Sequence, residues 1–84
     1  MTENISEETQ ITEFRKEVYR KKIQMAEAQL LDKDTKHNDR AKIWMRIGLW
    51  RDELGQKILA RKAFEQVRRF DPDNIVANRA LNLC

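Results

Sequence analysis

The chain has 84 residues, 40% apolar and 37% charged, with 17 Lys and Arg against 14 Asp and Glu for a net charge of +3. A chain this short has room for one domain with a modest core, and two Gly and one Pro leave long stretches without a turn signal, the composition of a charged, helix-rich domain. The mild positive balance permits an acidic partner without demanding one; the single Cys84 excludes an internal disulfide and points to a reducing compartment, and no apolar run approaches the roughly 20 residues that span a bilayer.

The opening MTENISEETQ has neither a basic segment nor an apolar run, so no secretory leader and no membrane association is expected, and the expected location is the cytoplasm or the nucleus. The Asn4-Ile5-Ser6 sequon is then a chance match. Residues 1–5 are expected to fray. From Ser6 to Leu31 the sequence predicts one helix of roughly 39 Å, at about 1.5 Å per residue. Ile11, Phe14, Val18 and Met25 form one apolar row on it, and Tyr19, Ile23, Ala26 and Leu30 a second. The rows adjoin, so the helix is expected to bury a broad face. Glu17 and Lys21 stand at i and i+4, a favourable surface pair.

Residues 32–40, DKDTKHNDR, are all polar and predict a loop in which Asn38 or Asp39 caps the next helix. That helix runs to about Leu54, where Gly55 ends it in a left-handed conformation. A further helix is predicted from Lys57 to Phe70. Asp71-Pro72-Asp73-Asn74 stops it, since proline restricts the residue before it and donates no backbone hydrogen bond. Residues 75–84 predict a short closing helix with Asp73 or Asn74 as cap and Val76, Ala80 and Leu83 among its apolar residues.

Within residues 41–74, Trp44, Ile47 and Leu54 share one side of the first helix, and Gly48 removes a side chain where a neighbour can come close. Ala60, Ala63, Phe64 and Val67 do the same on the second helix. This predicts a tightly packed antiparallel helical hairpin. The residues Trp44, Ile47, Gly48, Gly55, Ala60, Phe64, Val67, Asp71 and Pro72 resemble the 34-residue tetratricopeptide-repeat pattern. The string Ala60-Arg61-Lys62-Ala63-Phe64-Glu65-Gln66-Val67, with Trp44 and Trp50, also looks like the half-a-tetratricopeptide repeat of RNA-processing scaffolds. Arg51 departs from both patterns, standing where the second carries Glu and the first favours tyrosine, and Lys57 likewise replaces a tyrosine. No second full repeat is found on shifting the register by 34 residues in either direction. The expected fold is therefore all-α: one hairpin, a long N-terminal helix (6–31) and a closing helix (75–84) in a single domain.

Catalytic chemistry finds little support. His37, the only histidine, lies in the polar loop with no cysteine near it in sequence, and reads as a solvated residue. Asp32, Asp34 and Asp39 begin like a calcium loop, but Lys36, His37 and Ile43 occupy positions where such a loop needs a ligand, a glycine and a bidentate Glu. Two glycines cannot build a phosphate cradle, and Ser6, the only serine, sits where a helix cap is expected. No enzyme activity, cofactor or metal is expected.

Surface remains. The resemblance implies a concave groove lined by the first helix of the hairpin, with Lys42, Met45, Arg46, Leu49 and Glu53 facing an extended peptide or a helix of a partner. Lys42 and Arg46, at i and i+4, match an arrangement that clamps a C-terminal carboxylate in some members of that family, although the full clamp draws asparagines from preceding repeats that this chain does not have. An acidic or amphipathic protein segment is the expected partner. Two rivals remain open. Arg15-Lys16, Arg20-Lys21-Lys22, Arg61-Lys62 and Arg68-Arg69 raise RNA, although Arg20 to Lys22 spread over about 200° of helix where phosphate binding wants one continuous face. Glu53 to Lys57 and Glu65 to Arg69 offer those cations ordinary helix-surface pairing instead. Stacked repeats also usually need neighbours to complete a core, so homo-oligomerisation through the uncovered side of the hairpin is the other rival.

Overall fold

The computed structural model describes the backbone of residues 2–81 and the side chains of residues 12–81. Four helices occur in it and no strand: α1 (Thr2–Leu30), α2 (His37–Glu53), α3 (Lys57–Phe70) and α4 (Ile75–Ala80). The chain is all-α. Each helix packs chiefly on its neighbours in sequence, α1 on α2, α2 on α3 and α3 on α4. The body measures 49 × 32 × 16 Å.

α1 starts at Thr2, so residues 2–5 are helical and Ser6 lies within the helix rather than at its cap. α2 starts at His37, earlier than the polar run 32–40 suggests, and neither Asn38 nor Asp39 caps it. Lys36 holds the cap position in an extended conformation without a side-chain hydrogen bond, and Asp39 sits in the first turn, where a carboxylate is favoured by the helix dipole. The helix can begin early because Arg40 organises the connection. Its guanidinium donates to the carbonyls of Leu30 at 2.8 Å, Asp32 at 2.9 Å and Thr35 at 3.2 Å, and the Thr35 hydroxyl donates to the Gln29 carbonyl at 2.9 Å. The bond to Leu30 satisfies a carbonyl that the end of α1 would otherwise leave without a donor.

The turn from α2 to α3 forms as expected at Gly55, whose φ is +76°. Its N–H donates to Asp52 and that of Gln56 to Arg51, each at 2.9 Å, the paired bonds of a Schellman ending. α3 occupies Lys57–Phe70 as predicted. The Asn74 side chain caps α4 by accepting from the Ala77 N–H at 3.0 Å. Leu83 and Cys84 lie outside the described residues.

Two clusters of buried side chains make up the core. Ile23 and Ala26 of α1 meet Ile43 and Ile47 of α2 and Ala63 of α3, with Leu30, Trp50 and Leu54 against them. Ala60, Phe64 and Val67 of α3 meet Ala77 of α4 and Leu81, with Met45 against them. Trp44 packs against both clusters and joins them. Gly48 is the point of closest approach: a Cβ built there would come within 2.7 Å of the Phe64 ring, so the ring occupies the space a side chain would need. Pairing of Gly48 with Phe64 and of Asp52 with Lys57 shows that α2 and α3 run in opposite directions.

The expectation that α1 buries a broad face fails. On α1 the second row is the better covered, with Ile23 and Ala26 buried and Leu30 and Tyr19 half-buried, whereas on the first row Val18 is half-buried and Phe14 and Met25 are each 70% exposed. The rows lie about 120° apart round the helix, and the elements beside α1 reach chiefly one of them. On α4 the buried residue is Ala77, joined by Leu81, whereas Val76 and Ala80 face outward. The expected surface pairs also rearrange. Glu17 reaches Arg20 rather than Lys21, Glu65 reaches Arg61 rather than Arg69, and Lys57 bonds Asp52 rather than Glu53 because α2 has already ended.

Candidate functional site

The five residues proposed to face a partner lie along one side of α2, the spacing of a helical stripe. Lys42, Arg46, Leu49 and Glu53 are exposed, and Met45 is half-buried because its side chain reaches the Phe64 and Val67 cluster. Lys42, Met45 and Arg46 border a hollow of about 410 Å³ whose other wall is the α3 to α4 turn, with Asp71 and Asn74. On the opposite flank Lys42 and Arg46 border a second hollow of about 430 Å³, shared with Gln29, Asp32, Thr35 and Asp39. The two cations thus stand on a ridge between two open depressions. Among the described residues neither makes an ion pair, although Asp71 and Asp39 border the same hollows and temper the positive charge.

Leu49 belongs to a third hollow of about 450 Å³, lined also by Ile58, Phe64 and Arg61 of α3 and by Val76 and Ala80 of α4. Its apolar rim lies one turn beyond the Lys42 and Arg46 ridge. Glu53 borders none of these three hollows. The structure therefore sets two hollows along the exposed side of α2, one bordered by Lys42, Met45 and Arg46 and the other by Leu49, and adds to the second Ile58, Val76 and Ala80, which the sequence reading did not place there. Their signal was present as apolar residues on short helices. Periodicity alone could not say which row of α4 would face α3.

The signature residues have distinct roles in building these hollows. Ile47, Gly48, Ala60, Phe64 and Val67 are buried, and Val67 is completely enclosed. Gly55 supplies the turn and Pro72 the break before α4. Arg51, which departs from the repeat patterns, donates to Gln56 Oε1 at 2.8 Å and lies 3.9 Å from Glu27. It fastens the α2 to α3 turn and reaches α1.

Many of the other cations are engaged locally. Lys16 pairs with Glu13 and Arg20 with Glu17 on α1, and Arg61 pairs with Glu65 on α3. Lys22 Nζ sits 5.9 Å from the centroid of the Trp50 ring, and Arg69 lies 6.0 Å from that of Phe70, distances at which a cation is attracted to the ring face. Trp50 itself packs against the α1 and α2 cluster instead of standing free. His37 is exposed at the start of α2 rather than in the loop, with its ring edge-on to Phe70 at 5.5 Å. Among the described residues no three of His, Cys, Asp and Glu are grouped so as to hold a metal ion, and no helix is long and apolar enough to cross a membrane. No protein-family model, no curated protein and no solved structure matches the chain.

Proposed function

We propose that the chain is a non-catalytic interaction module of tetratricopeptide-like design, which holds an acidic or amphipathic segment of another protein in a groove that the two hollows form along α2. The observation that carries this reading is the succession of two hollows along one side of α2: a cationic one bordered by Lys42, Met45 and Arg46, and about one turn on an apolar one bordered by Leu49, Val76 and Ala80. An acidic helix or extended peptide meets guanidinium and ammonium donors at one end and buries apolar side chains at the other. Packing of each helix on its sequence neighbours supports the repeat-like design. Local pairing of Lys16, Arg20 and Arg61 disfavours RNA, because phosphate binding draws on cations free to neutralise it.

The test is affinity capture from lysate, with and without nuclease, using the natural chain and a Lys42→Glu, Arg46→Glu double variant. A protein that survives nuclease and is lost by the variant, while circular dichroism reports an unchanged fold, supports the groove. Capture that is indifferent to the variant removes these residues from the site. Material that disappears with nuclease moves the chain to an RNA-associated scaffold.

A further inference from the structure

Between α1 and α2, on the other flank of Arg46, the structure leaves a hollow of about 210 Å³. Lys22, Met25, Ala26 and Gln29 border it from α1, and Ile43, Arg46 and Trp50 from α2, each set at the spacings that hold one side of a helix in line. Ala26 and Ile43 are buried and make its floor. Met25, 70% exposed, and the half-buried Trp50 make its walls.

Charge sets this hollow apart. Lys22 and Arg46 stand at its rim, neither makes an ion pair among the described residues, and no carboxylate lines it. The three hollows described above carry Asp52, Asp71, or Asp32 with Asp39, and one beside Arg51 and Lys62 carries Glu27. Arg46 also borders the hollow of Asp32 and Asp39, whereas Lys22 borders none of those four. The Lys22 ammonium lies 5.9 Å from the Trp50 ring centroid, so the ring, and no acid, holds that charge at the rim.

Size and lining select the occupant. Small-molecule sites usually hold about 300–1,000 Å³, so this hollow suits one side chain of a larger partner. A thioether and an indole over an aliphatic floor favour an aromatic group, and unpaired cations at the rim favour carboxylates beside it. A nucleic-acid base fits less well, because stacking draws on an open aromatic face, and Trp50 shares its face with Lys22 and packs against the α1 and α2 cluster. We propose that this hollow docks an acidic segment of a partner protein, which inserts one aromatic side chain between Met25 and Trp50 and sets carboxylates against Lys22 and Arg46. The site is separate from the hollows at Lys42 and Leu49 and does not depend on what they bind.

The experiment is a nuclear magnetic resonance titration of the isotope-labelled full chain with the peptide acetyl-Glu-Glu-Phe-Glu-Glu-amide. Shifts should gather at the Trp50 indole, the Met25 methyl group and Ile43, with weaker binding as salt rises. Lys22→Glu should weaken binding by about fivefold or more, and Met25→Ser should weaken it too; both side chains are exposed, so neither change should unfold the chain. Arg68→Glu, the same change in net charge at an exposed cation bordering none of these hollows, should leave binding as it was. Peptides with Ser in place of Phe, or Gln in place of Glu, should lose the shifts. Shifts centred on Asp71 and Asn74 instead would overturn this site and leave the groove along α2 standing. Absence of shifts, equal weakening by Lys22→Glu and Arg68→Glu, or tighter binding of a short oligouridylate at Trp50 would overturn it as well.

Discussion

α1 and the α2 and α3 pair differ in how deeply they engage the rest of the molecule, although the sequence gives both clear apolar periodicity. α2 and α3 meet at backbone distance, with Phe64 seated over Gly48 and a glycine turn closing them. α1 touches α2 with one row of side chains and leaves Phe14 and Met25 of its other row largely exposed. A helix buries as many faces as there are elements to cover them, and α1 packs chiefly on α2, with only Ala63 of α3 reaching the same cluster of buried side chains. Apolar spacing therefore reports a capacity for burial, and the number of neighbours decides how much of it is used.

The sharpest way to break the contrast is to fill the space at Gly48. Gly48→Leu should cost about 3 kcal/mol or more, because the added side chain must displace the Phe64 ring and part α2 from α3. Thermal denaturation measures it, and a melting temperature equal to that of the natural chain would show that the close approach is not required. Partial recovery in Gly48→Ala with Phe64→Leu would locate the clash at that ring.

A smaller effect should separate α1 from the rest. Arg40→Ala removes the three bonds that tie the end of α1 to the start of α2, which should cost about 1 to 2 kcal/mol for a partly exposed cationic donor. Hydrogen exchange should then lose protection in α1 while the amides of α2 and α3 keep theirs. Equal loss in all three helices would mean that α1 and the α2 and α3 pair unfold as one unit.

The smallest effect belongs to the bare row. In dilute solution Phe14→Ser should change stability by no more than about 0.5 kcal/mol, since the side chain is 70% exposed. Denaturant unfolding at low protein concentration checks it, and a loss of more than that would reveal a contact made by Phe14 within a single copy.

Much of this architecture could be read before any coordinates. Local chemistry determines it: Gly55 alone tolerates the positive φ of the turn, the Asp71 to Asn74 segment stops α3, and Asn74 caps α4. The paired spacings of Ile47 and Gly48 with Ala60, Ala63, Phe64 and Val67 likewise select the faces along which α2 and α3 meet. Arg40 was not legible, because a lone arginine in a polar run looks the same whether it faces water or gathers three carbonyls from a chain end ten residues back.

The candidate site divides in the same way. Lys42, Met45, Arg46 and Leu49 follow from helical register, so their common side is a property of the sequence. That Val76, Ala80 and Ile58 share the hollow at Leu49 while Glu53 stands outside both hollows is not. By itself the sequence determined the ends of α3, the glycine turn and the faces of α2 and α3, because those depend on residues within a few positions of one another. Only the tertiary structure decided which row of α1 and of α4 is covered and where the hollows open, because those depend on which helices lie alongside, and that is settled by packing between residues far apart in the chain.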